Sequence, residues 1–300
     1  MSKFSLKGII YLLITAIIWG GSFISQLIGG VEIGSFTFNS YRCILGCFTI
    51  AIMIYYDNII KIKKFKLFRD DEDVKSTILK SAWCGLFLFA ALSTQQIGVE
   101  LTDSAKAGLI ASTEVVVVPI IMFFIYKRKI KPSTWFFILL TMFGIFLLSI
   151  NSISGINKGD IYVFISTILY SITIIQVPKY IKNIDPLKFS FFRFIVVGIL
   201  GFLFAFMFRE TPFDRAKITL ALPSILYSGI LASGVAYTFS IIGQKHCEPI
   251  IATLIMSLEG IFAAIFGWLI LGQYLNMIQI VGIIIAFISI VFVQITDYKR

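Results

Sequence analysis

Charge is scarce in this chain. Lys, Arg, Asp and Glu make up only 14% of its 300 residues, against about a quarter in soluble domains, so an ordinary soluble domain is excluded. Histidine occurs once, at His246, and cysteine four times, at Cys43, Cys47, Cys84 and Cys247. A lone imidazole and thiols set in or beside apolar runs do not supply a metal-ligand set. They read as small hydrophobes, so no metal is expected. The phosphate-binding loop of nucleotide hydrolases is missing, which argues against a self-contained primary pump. The alternating pattern of an outer-membrane barrel is missing too. What is present is 58% hydrophobic residues and a mean hydropathy of +0.93. These give the fold class: an all-α integral membrane protein, because helices satisfy their own backbone in lipid.

Apolar runs long enough to cross a hydrocarbon core of about 30 Å recur along the whole chain. Gly, Pro, Asn and charge runs divide them into ten spans: 8–28, 38–56, 81–99, 106–126, 134–151, 160–178, 189–208, 221–241, 250–270 and 277–295. The first is too long for a signal peptide, and no small-residue cleavage pattern follows it. The connections are short except 57–80 and 209–220. With a cytoplasmic N-terminus, the connections on the inside hold 19 Lys and Arg and those on the outside five. The remaining two, Arg42 and Arg193, lie inside spans. Basic residues stay cytoplasmic, so both termini are expected there. The net charge of +10 is then a topology signal, and nucleic-acid binding is not expected.

The chain repeats itself. Residues 97–125 align without a gap on 242–270, with nine of 29 positions identical, among them Gly98 with Gly243, Ser112 with Ser257 and Glu114 with Glu259. An earlier repeat pairs the run from Lys7 with the run from Lys158, and at the same offset Arg42 falls on Arg193. Spans one to five thus recur as spans six to ten. Five is odd, so the second copy enters the membrane from the opposite side. The expectation is two inverted five-helix repeats, 1–155 and 156–300, with a substrate site near the midplane between them, as in secondary transporters.

Several stretches carry a family resemblance: WGGSF at Trp19 to Phe23, the Arg four residues into span two, QQIGVELTDSAKAGLIASTEVVVVPI from Gln95, and ATLIMSLEGIFAAIFGWLILGQ from Ala252. Together they resemble the EamA-type branch of the drug/metabolite transporter superfamily over essentially the whole chain. The resemblance implies a ten-helix, exporter-like carrier with a central cavity opened alternately to each side, a small-molecule substrate and no cofactor. Gly260 stands where the family pattern commonly has Pro, and Gln273 where it commonly has an acidic residue.

Glu114 and Glu259 sit mid-way along apolar runs. A charge at that depth costs about 2.5–3.5 kcal/mol, so each should face the bundle interior, find a partner or take a proton. Proton coupling or substrate binding is one role; pairing with an Arg or a helix end is the structural alternative. Arg42 and Arg193, on opposite membrane faces if the repeats are inverted, either snorkel or brace a neighbouring helix. Alternatively Arg42, with Asn39 one turn away, offers a guanidinium to a substrate carboxylate or phosphate. Arg193 is read as structural charge. Trp19, Tyr170, Tyr237, Gln95, Gln96, Ser112 and Ser257 are the remaining pocket candidates, with interhelical packing as the alternative for each. Small residues from Gly229 to Ala236 permit close helix approach, and Pro119, Pro178 and Gly260 are candidate bends.

The function expected is a secondary active carrier, exporter-like, for amino acids, related organic compounds or drugs, with protons as a coupling hypothesis and the bilayer as its other partner. Two rivals are weighed against it. A membrane enzyme would use the acidic cluster Asp70, Asp71, Glu72 and Asp73 on a lipid diphosphate, but the facing acidic motif it needs is missing. A passive channel suits buried carboxylates in inverted repeats less well.

Overall fold

The computed structural model describes residues 6–62, 73–102, 104–149, 157–272 and 276–298, and among these only helices and turns occur. The helices are α1 (Leu6–Ile33), α2 (Ser35–Ile62), α3 (Val74–Leu101), α4 (Ser104–Ala111), α5 (Glu114–Phe124), α6 (Pro132–Ser149), α7 (Lys158–Tyr180), α8 (Pro186–Met207), α9 (Arg215–Leu226), α10 (Tyr237–His246), α11 (Pro249–Met256), α12 (Leu258–Leu271) and α13 (Met277–Tyr298). A π-helical segment, Tyr227–Ala236, joins α9 to α10. Eight segments are long and apolar enough to cross a membrane, taking α4 with α5, α9 with α10, and α11 with α12 as single spans. The expected fifth and tenth spans are helical and apolar but shorter, Pro132–Leu147 and Met277–Ile290.

Burial is distributed as lipid demands. Phe136, Leu139, Phe143 and Phe146 of α6 and Ile161, Phe164, Ile165 and Ile168 of α7 are exposed. Gln26, Asn39, Arg42, Gln96, Glu114, Arg193, Gln244 and Glu259 are buried. Exposing Phe and Ile carries no penalty when the surroundings are hydrocarbon, and polar groups cost less facing other helices than facing lipid.

Without a hydrophobic drive between helices in lipid, close approach over small residues must hold them together. Pairings run α3 along α7, α2 along α8, and α6 along α13. A Cβ on Gly98 would stand 2.8 Å from the Gly159 carbonyl oxygen on α7, and one on Gly159 would stand 2.8 Å from the Gly98 oxygen. The same contact occurs between α10 and α1: a Cβ on Gly243 would stand 3.1 Å from the Gly8 oxygen, and one on Gly8 3.3 Å from the Gly243 oxygen. Gly144 meets the α13 backbone at Gly282 in the same way.

The ends of the bundle are pinned by side chains. Glu210 accepts the backbone N–H groups of Phe36 and Thr37 at 3.1 and 2.7 Å and the Thr37 hydroxyl at 2.6 Å, which satisfies the start of α2. Asn157 and Asp160 form a reciprocal capping box at the start of α7, and Asp160 also accepts from Thr102 at 2.7 Å and Lys106 at 2.6 Å. Asp73, the last member of the acidic cluster, caps α3 by accepting from the Ser76 N–H at 2.9 Å. Asp70, Asp71 and Glu72 lie outside the described residues, as does Gln273.

Candidate functional site

The site is built where helices are interrupted. The fourth expected span breaks at Ser112–Thr113, between α4 and α5, and the ninth breaks at Ser257, between α11 and α12. Backbone bonds at both places tighten to three residues: Thr113 N–H to Ile110 O at 3.0 Å, and Gly260 N–H to Ser257 O at 3.3 Å. Hydroxyls take up the loosened carbonyls, as Ser and Thr do in membrane helices. Thr113 donates to Ile110 O at 2.6 Å and Ser257 to Leu254 O at 2.9 Å. Ser112 donates to Gly108 O at 2.9 Å and across to Ser257 O at 3.1 Å, so the two breaks touch. A Cβ on Gly260 would lie 2.5 Å from Ser112 Oγ, which leaves no room there for a larger residue. Glu114 is the first residue of α5 and Glu259 the second of α12. Each carboxylate therefore sits one or two residues past a break, facing the other within electrostatic reach.

Between the breaks lies a cavity of about 30 Å³, space for one or two water molecules. Glu114, Glu259, Arg42, Gln95 and the aromatic trio Trp19, Tyr170 and Tyr237 all line it. Trp19 is 5.7 Å from Tyr170 and 4.7 Å from Tyr237, centroid to centroid, and Tyr170 is 6.2 Å from Tyr237. The indole is oriented by its N–H, which donates to the Ala232 carbonyl in the π-helical segment at 3.3 Å. Thr15 uses the Ala236 carbonyl of that segment at 3.0 Å. Widened π turns present carbonyls that an α-helix would hold internally, a device frequent at functional sites.

The two arginines are the main departure from the sequence reading. Expected on opposite membrane faces, each is the eighth residue of its helix, α2 or α8, and both come to the same place. Arg193 stands 5.9 Å over the Tyr237 ring, and both guanidinium groups lie within electrostatic reach of the Cys43 thiol and the Tyr237 hydroxyl. The reason is that α2 and α8 pack along each other, so residues deep in both helices meet at the centre and cannot snorkel. Among the described residues no ion pair joins Arg42 or Arg193 to Glu114 or Glu259. Arg42 Nε and Nη2, Arg193 Nε, Glu114 Oε1 and Gln26 Oε1 are buried without a hydrogen-bond partner. Basic and acidic side chains thus face one small space with hydrogen-bonding capacity unused.

The other candidates are brought near but not into the lining. Asn39 donates to Leu92 O at 3.0 Å, Gln96 donates to Gln26 O at 2.8 Å and to Glu100 at 3.1 Å, and Ser112 and Ser257 hold the crossing. Sequence reasoning missed Ser22, Gln26, Ser166 and Thr167, which do line the cavity. Ser22 lay within the WGGSF motif and Gln26 one turn on, which was the available signal. Pro119 lies within α5 and Pro178 within α7 without breaking either helix, whereas Gly260 adjoins a break.

The described helices thus form a membrane bundle around a polar and aromatic cavity, a build that suits a membrane transporter. The chain belongs to the EamA-like transporter family, whose model matches residues 6–150 and again residues 157–295. It is similar to an uncharacterized transporter of Archaeoglobus fulgidus, at 26% identity over 94% of this chain and 84% of that one. YoaV, an uncharacterized transporter of Bacillus subtilis, is 22% identical over 89% of both chains. A third, from Clostridium kluyveri, is 23% identical over 94% and 91%. A crystal structure 11% identical in sequence shares the fold with a TM-score of 0.74, covering 97% of this chain and 98% of its own.

Proposed function

We propose that this transporter is a secondary carrier of the cell membrane that exports a small organic solute, an amino acid or related metabolite, by alternating access, with protons exchanged at Glu114 and Glu259. The observation that carries the reading is the central cavity, which Arg42 and Glu114, both with unpartnered side-chain atoms, line together with three aromatic rings. A zwitterion or an amphiphilic ion meets both needs: Arg42 takes a carboxylate as a directed pair of hydrogen bonds, the rings take an apolar body, and a glutamate takes an ammonium or, when the site is empty, a proton. Proton and ammonium then compete for the same oxygen, which couples their movements in opposite directions.

The architecture proposed is ten spans in two inverted halves, 1–155 and 156–300, with both termini cytoplasmic. Three findings support it. The family model matches once in each half. Residues equivalent in the repeat meet in space, Trp19 with Tyr170 and Ser112 with Ser257. The Gly98 and Gly159 contact has its counterpart in Gly243 and Gly8. Alternating access then amounts to rocking one half on the other about the crossed breaks.

The test begins with thermal stability of the purified protein against amino acids, amines, organic acids and cationic drugs, because a ligand of the folded state raises it. A carboxylated hit lost in Arg42→Ala supports the guanidinium site. The hit is then carried into proteoliposome flux under a pH gradient. Glu114→Gln and Glu259→Gln, singly and together, are expected to abolish the pH dependence. Wild-type flux with unchanged pH dependence in the double variant overturns the coupling, and flux that never saturates overturns the carrier.

A further inference from the structure

A second cavity, of about 440 Å³, lies at the end of the bundle where α5 and α7 finish and α11 begins, and it touches none of the residues lining the central one. Its volume is in the range of small-molecule sites, about 300–1,000 Å³. One wall is apolar, formed by Met122, Ile175 and Pro178. The rim is cationic, with Arg128, Lys179 and Lys182. Lys179 lies over the Tyr126 ring, its Nζ 3.8 Å from the centroid. Arg128 is tied to Glu248, the residue capping α11, which leaves the rim net positive. Val118 and Ile174, one turn along from Glu114 and Tyr170, are 0% and 1% exposed. The two pockets share no lining residue.

We propose that this pocket binds an amphiphilic anion, with a phosphate or carboxylate head against Lys179 and Lys182 and an apolar body against Met122, Ile175 and Pro178. An apolar solute alone would leave the cationic rim unused, and a small hydrophilic anion would leave the apolar wall wet. Two sources have this chemistry: an anionic phospholipid of the adjoining leaflet, since basic pockets between membrane helices take such headgroups, and a soluble amphiphilic acid approaching the carrier. The inference needs neither the proposed substrate nor the proposed proton coupling.

The probe is dihexanoyl-phosphatidylglycerol, soluble as a monomer, titrated into the full chain in a neutral detergent. Dihexanoyl-phosphatidylcholine has the same tails without net charge. Tenfold or tighter selectivity for the anionic head is expected. It should weaken with salt, vanish in Lys179→Gln/Lys182→Gln, return in Lys179→Arg/Lys182→Arg, and persist in Glu114→Gln/Glu259→Gln. Competition by hexyl phosphate at equal concentration assigns the site to soluble amphiphiles, and failure to compete assigns it to diacyl lipid. Equal affinity for both headgroups, or selectivity surviving the double Gln variant, overturns the proposal. Loss of transport with selectivity intact in the glutamate variants separates this site from the central one.

Discussion

Gly98→Ala should separate two helices that the fold holds at backbone contact. The added methyl would lie 2.8 Å from both the Gly159 oxygen and the Val163 nitrogen, and 2.6 Å from a Val163 methyl. Comfortable carbon contacts begin at about 3.5 Å, and two of the three obstacles are backbone atoms of α7. Relief therefore requires α3 and α7 to part by roughly 0.7–1 Å along a tight interface where Val99 and Val163 are fully buried. Overpacking of this kind costs about 1–3 kcal/mol. Alanine returns up to about 1 kcal/mol of helix propensity, so the net loss is about 0–3 kcal/mol, and against a variant that gains the same propensity without the clash the difference is about 1–3 kcal/mol. Gly108→Ala is the control, because its methyl would find nothing closer than the Ala263 Cβ at 3.4 Å and it gains the same propensity. Thermal unfolding in detergent, followed by tryptophan fluorescence, should place Gly98→Ala several degrees below Gly108→Ala, at about 2–4 °C per kcal/mol. Equal midpoints, or a higher one for Gly98→Ala, would refute the claim that close backbone contact is what holds α3 to α7.

Ser112→Ala removes a hydroxyl shared by the two broken helices and should cost about 1 kcal/mol. It should also slow flux more than Thr141→Ala, whose buried hydroxyl bonds only within its own helix; equal flux in the two would separate the crossing from transport. Glu210→Gln loses a charge at the start of α2 and should lower stability by about 1–2 kcal/mol, read as a shift of the unfolding midpoint. Asp160→Asn weakens the tie to Lys106 and Thr102 and should cost about 1 kcal/mol, with Lys106→Gln adding little on top because the pair acts as one unit. A double-mutant cycle on unfolding checks that coupling.

Much of the fold was legible because a bilayer leaves few options. Length and hydropathy place spans without reference to packing, and eight of the ten read that way meet the same criterion in the structure. Helix ends were less legible: the spans read from 160 and 189 begin in the structure at Lys158 and Pro186, where Asn157 and Asp185 cap the helices. The π-helical segment was not legible. The run from Gly229 to Ala236 showed only that neighbours could come close, and Leu45 and Thr49 of α2 do pack against Gly229 and Gly234. Which backbone pattern follows from that closeness depends on the neighbour, and a neighbour is not written in the local sequence.

The same distinction explains the candidate site. Glu114 and Glu259 stood out because a charge in an apolar run is improbable unless something faces it, and both do line the cavity. Arg42 and Arg193 stood out for the same reason, but their depth was misjudged, since α2 and α8 begin three residues before the apolar runs and carry each Arg two turns inward. Once that offset is included, the packing of α2 along α8 brings the two guanidinium groups near each other, just as the contact between the broken helices brings the carboxylates near each other. Arg42 with Arg193 and Glu114 with Glu259 are pairs that the sequence repeat aligns, and in each the two members come within electrostatic reach of common neighbours or of each other. Trp19 and Tyr170, also aligned by the repeat, have rings 5.7 Å apart, centroid to centroid. Asn39 and Gln96, by contrast, donate to the Leu92 and Gln26 carbonyls of neighbouring helices, while their own side-chain oxygens are buried without a partner.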